Sequence, residues 1–142
     1  MGSKGSEIHK ALRKFGTSYL TWIKQRFIKY SAGGGTWPPL SAKRIKAKGH
    51  DLILFDTGQL QRSLDPRSSA NKVTALTGRD IGVKVEFTSV RHKTGIPIAD
   101  LIEIHHFGTS KIPARPILVE PPKSVVNKAI ENFRKAIKRA NK

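Results

Sequence analysis

The chain has 142 residues, no cysteine, and 27 Lys/Arg against 10 Asp/Glu, a formal charge of +17; that length suits one domain with a single core. The missing cysteine excludes disulfides, thiolate metal sites and cysteine nucleophiles. The Gly, Ser, Lys and Glu of Met1–Leu12 exclude a secretory signal core, and no apolar run is long enough to span a bilayer, so the expectation is a soluble intracellular product without a membrane partner.

In chain order, Ile8, Leu12, Phe15, Tyr19, Ile23, Phe27 and Tyr30 recur every three or four residues, which predicts an amphipathic helix over residues 1–32. With Trp22 they fall in an arc of about 140°. Lys10, Arg13 and Lys24 lie outside it, while Arg26 falls inside and calls for snorkelling, an acidic partner or a subunit contact. Gly33-Gly34-Gly35 ends the helix. Thr36–His50 reads as a basic connector carrying Lys43, Arg44, Lys46 and Lys48. Trp37 beside Pro38-Pro39 is either an exposed partner anchor or a buried pin for the loop.

Asp51–Leu64 reads as a short helix or strand with a turn at Gly58, and residues 65–72 as a polar loop. Val73–Leu76 and Ile81–Phe87 read as strands joined through Thr77-Gly78-Arg79-Asp80, with Ile81, Val83, Val85 and Phe87 on one face. Thr88–Pro97 is a second basic loop. Pro121-Pro122-Lys123-Ser124 opens a last helix with Ser124 as its N-cap. Val125, Val126, Ala129, Ile130, Phe133, Ala136, Ile137 and Ala140 share one face of it, and Lys128, Lys135, Lys138 and Arg139 cover the other. The expected fold is α+β, a small mainly antiparallel sheet flanked by long N- and C-terminal amphipathic helices. Residues 1–142 form one domain, divided as helix 1–32, motif-bearing loops and sheet 33–121, and basic helix 122–142.

The charge is concentrated at both ends: residues 1–50 carry eleven Lys/Arg and one acid, 51–100 seven and six, 101–142 nine and three. Such a distribution points to a polyanion or an acidic protein surface as partner. Enzymatic readings fare less well. Asp56-Thr57-Gly58 after Leu52-Ile53-Leu54-Phe55 is similar to a retroviral-type aspartic protease, whose chemistry needs two such carboxylates sharing a proton, but Gln59-Leu60 follows in place of a small residue and an acid. Adjacent His105-His106 diverge on either a strand or a helix, with only Glu103 near as a further ligand, so no metal and no cofactor is expected. No Ser-His-Asp order, P-loop or Rossmann glycine pattern is present.

Three blocks remain. Gly35-Thr36-Trp37-Pro38-Pro39-Leu40 comes first, then Leu54-x-x-Thr57-Gly58-x-Leu60-x-x-Ser63, then His105-His106-Phe107-Gly108 running into Ile112-Pro113-Ala114-Arg115-Pro116. Prolines on either side bias Ala114-Arg115 toward an extended shape, so the Arg115 fork points in a defined direction, suited to a carboxylate or to backbone carbonyls. In this order the blocks resemble the phage virion morphogenesis family over about Gly33 to Glu120. The chain departs by placing Leu101-Ile102-Glu103-Ile104 where the family usually has an aromatic-small pair, and Ile117 where it has Phe; both keep an apolar residue.

The resemblance implies a structural, non-enzymatic virion protein of a tailed phage, a tail-completion or head–tail neck component. It would form a homo-oligomeric ring against neighbouring neck and tail proteins (connector or adaptor, tail terminator or tail tube), with genomic DNA in the channel as a further contact. Its place would be the virion neck or tail end, after assembly in the host cytoplasm. It marks Trp37, Pro38, Leu40, Thr57, Gly58, His106, Gly108, Pro113, Arg115 and Pro116 as structural or subunit-contact residues. The rival reading from charge alone is a stand-alone nucleic-acid-binding protein, which leaves the three blocks unexplained.

Overall fold

The computed structural model describes residues 3–55, 57–88 and 90–141. Helix α1 (Ser3–Ser31) is followed by α2 (Ala42–Lys48), α3 (Gln59–Ser63), strands β1 (Asn71–Thr77) and β2 (Ile81–Phe87), α4 (Ile98–Phe107) and α5 (Lys123–Ala140). The strands form one antiparallel two-stranded sheet with Val73 opposite Val85, Ala75 opposite Val83 and Thr77 opposite Ile81. The α+β architecture with long terminal helices is the expected one.

α1 is the spine because it buries its stripe on several sides at once. Leu20, Ile23 and Phe27 are fully buried, whereas Ile8, Phe15, Tyr19, Trp22 and Tyr30 are half-buried. The sheet crosses α1 at Gly16, where a Cβ would sit 2.4 Å from Val73 Cγ1 and 2.8 Å from Val83 Cγ2. Only glycine permits that approach. α5 lies antiparallel along α1: Arg139 near its end pairs with Glu7 at 2.7 Å, while its beginning, Ser124 and Val125, meets Phe15 and Ser18. Small side chains, Ala11 on α1 and Ala136 and Ala140 on α5, are buried in the molecule and allow close helix contact. α1 covers only part of the broad apolar face of α5, so Ile130 and Ile137 stay 46% and 38% exposed.

Three local readings are corrected. The connector contains a capped helix: Ser41 Oγ accepts from the Arg44 N–H at 3.2 Å, and Gly49 ends α2 with φ +82° and its N–H on Ile45 O. Ser124 is not a cap. Pro122 is already extended and its carbonyl accepts from the Val125 N–H, so α5 begins at Lys123 and Ser124 lies in its first turn. On β2, Val83, Val85 and Phe87 are half-buried, but Ile81 at the hairpin tip is 64% exposed. The segment before the His-Phe-Gly turn is helical, and in 51–64 the ordered element is α3, starting after Gly58. Asp56, whose Asp-Thr-Gly run raised the protease reading, lies outside the described residues.

Candidate functional site

The first and third sequence blocks, almost eighty residues apart in the chain, tie each other down by reciprocal bonds. The Arg115 fork donates through both Nε and Nη2 to Pro38 O, at 3.0 and 2.9 Å. Trp37 Nε1 donates back to Pro116 O at 3.0 Å. That carbonyl also accepts from Arg26 Nη1 at 2.9 Å, and the Arg26 guanidinium stacks 4.1 Å from the Tyr30 ring centroid. Among the described residues Arg26 meets a carbonyl and an aromatic ring rather than an acid, and it closes the clasp.

Trp37 is 5% exposed and Arg115 6%, which decides both open questions about them. Trp37 is the buried pin, held edge-on by Phe27 and Tyr30 at centroid separations of 5.2 and 5.5 Å. Among the described residues Arg115 meets a carbonyl rather than a carboxylate. Pro38 is half-buried, Pro113 and Pro116 exposed, and their rings hold backbone carbonyls where these two side chains reach them.

The turn leading into the strap is equally determined. Gly108 ends α4 at φ +75°, and a Cβ there would lie 2.7 Å from both Ile112 O and Ala114 N. Thr109 Oγ1 accepts from the Lys111 and Ile112 N–H groups. His106 Nδ1 accepts from the Ile117 and Leu118 N–H groups at 3.1 and 3.3 Å, so this nitrogen carries no proton and the ring is the Nε2–H tautomer. His105 turns away. Its carbonyl accepts from Arg115 N–H, and its Nδ1 has no hydrogen-bond partner among the described residues. Burial, the Arg115 guanidinium and His92 all push its pKa below the ordinary histidine value.

The middle block braces the opposite wall. Gly58 starts α3 at φ +80°, Arg62 Nη1 donates to Thr57 O at 3.0 Å, and Leu60 and Ser63 are buried. Gln59, which sequence reasoning passed over, ties α3 to the 91–93 loop: its Nε2 donates to Arg91 O and its Oε1 accepts from Lys93 N–H, both at 3.0 Å. A polar residue after Thr-Gly was its only signal. All three blocks line one open cleft of about 680 Å³, to which Leu40, Leu54, Gly58, His105, Ile112 and Arg115 each contribute. Leu54 reaches it at φ +56°, a conformation rare for a branched side chain and characteristic of sites held by their surroundings.

The basic residues divide into two groups. Lys24 is half-buried against Asp65 at 3.0 Å, and Arg67 and Lys24 hold that carboxyl far below the usual carboxylate range. Lys128 and Lys135 flank Glu131, Arg139 takes Glu7, and Lys48 donates to Leu52 O. Lys10, Arg13, Lys43, Arg44, Lys46 and Lys138 are exposed. Among the described residues no three His, Asp or Glu side chains are grouped to hold a metal, and no helix is long and apolar enough to cross a membrane. The profile of the phage virion morphogenesis family matches residues 1–136. No curated protein and no solved structure matches the chain significantly.

Proposed function

Because the chain belongs to the phage virion morphogenesis family, we propose that it is a structural component of the head–tail neck or tail end of a tailed phage, acting by binding and without turnover. The observation that carries this reading is the family match over nearly the whole chain. The clasp supports it, because the buried Trp37 and Arg115 and the half-buried His106 direct hydrogen bonds to main-chain groups. They build shape rather than a reacting centre.

The working form is a closed ring, since rotationally symmetric necks are built by repeating one heterologous contact. Exposed apolar side chains off the monomer core, Phe107 at 71% and the Ile130/Ile137 strip, support a neighbouring subunit packing there. The exposed cations of α2 support contact with acidic neighbouring proteins or with channel DNA. Deleting the gene and complementing it in trans tests the assignment. Filled heads and finished tails accumulating separately, and joining on complementation, support it; a block at capsid formation or DNA packaging overturns it.

A further inference from the structure

The cleft beside the clasp has a two-sided chemistry that the clasp does not use. Leu40, Leu54, Leu101 and Ile112 give it an aliphatic floor, the exposed Arg44 and Lys111 form a basic rim, and the buried Arg115 lines it as a third cation. Arg115 commits two of its N–H groups to Pro38 O, which leaves three of a guanidinium's five donors. A volume of about 680 Å³ lies within the range of pockets that enclose a ligand.

We propose that this cleft docks an extended acidic peptide segment of another protein, its carboxylates on the Arg44–Lys111 rim and on Arg115 within, and an apolar side chain on the floor. A small inorganic anion would satisfy the rim but leave the floor wet. Single-stranded nucleic acid would need aromatic platforms for its bases, and Phe55 is the one Phe, Tyr or Trp among the described lining residues. The inference rests on the cleft alone and stands or falls independently of where in the virion the chain sits.

Fluorescence anisotropy with the full chain tests it, using a short labelled peptide of Glu, Leu and Gly. That peptide binds saturably, a version with Lys for Glu does not, a version with Ser for Leu binds more weakly, and oligothymidylate does not displace it. The double variant Arg44→Glu/Lys111→Glu loses about tenfold or more in affinity, as like charges then meet. It keeps its fold, because Lys111 is exposed and Glu at position 44 completes a capping box with Ser41. Lys123→Glu/Arg134→Glu makes the same change of net charge on α5, away from the cleft, and loses far less. Equal losses in the two double variants, no saturable binding of the Glu/Leu/Gly peptide, or displacement by the oligonucleotide each overturn the proposal.

Discussion

Arg115 and Trp37 donate to carbonyls of each other's segments, yet their loss has unequal consequences. Arg115→Ala leaves Pro38 O without its two donors inside the molecule, which costs about 1–3 kcal/mol. Trp37→Phe leaves Pro116 O still bonded to Arg26 and keeps an aromatic ring against Phe27 and Tyr30, so it costs about 1 kcal/mol or less. Urea unfolding midpoints of the two variants should rank in that order, with Arg115→Lys recovering only part of the loss because an ammonium lacks the fork. The direction of Arg115 was legible from its flanking prolines, but its partner was not. Main-chain carbonyls and N–H groups have no sequence signature, which also hides what His106 accepts. Apart from the more acidic window of Asp65, His105 makes stability depend on pH below neutrality. Its folded pKa lies below its unfolded one, so the unfolded chain binds more protons; this contribution to stability is complete above about pH 6.5 and is lost as pH falls from there toward the folded value. His105→Phe should flatten the fall in the urea midpoint through that window, and an unchanged slope would contradict the assignment.

At the scale of elements, the parts read correctly were those whose own pattern is strong. α1 follows an apolar stripe of several turns, and β2 alternates through Val83 and Val85. α2 escaped because Ile45 is its single large apolar residue; its signal lay in the caps, Ser41 before and Gly49 after a run of helix formers. The N-terminus of α5 was misplaced because Ser124 offers the usual hydroxyl, while the Pro122 carbonyl sets the first bond. Gly108 is the element boundary with the least tolerance. Gly108→Ala must place a Cβ against fixed backbone at a positive φ, which costs about 1–3 kcal/mol from the dihedral alone and more as the strap shifts. The variant should show a lowered thermal midpoint together with faster hydrogen exchange across residues 109–117. A variant as stable as the parent would mean that the turn is not held as described.

For the whole molecule, the sign and unevenness of the charge were legible, but the division into internal pairs and free cations was not, because Glu7 and Arg139 lie at opposite ends of the chain and meet only when α5 folds back along α1. Reversing Lys128, Lys135 and Arg139 would therefore break pairs with Glu131 and Glu7 as well as change the surface. Lys43→Glu/Lys46→Glu/Lys138→Glu avoids that, since these side chains are exposed and have no ion pair among the described residues. It should keep its circular dichroism spectrum and lower particle yield. Attachment of the unaltered protein should weaken as salt shortens the Debye length below about 8 Å; normal yield from the triple variant would show these cations to be merely solvated.

Electron cryomicroscopy of intact virions tests most directly the proposal that this chain is a ring-forming part of the neck or tail end. Continuous density is expected at that position into which the clasp of Trp37, Arg115 and Pro116 fits, repeated around a closed ring with exposed cations toward acidic neighbours or the DNA channel. A neck and tail end fully accounted for by other chains would contradict it.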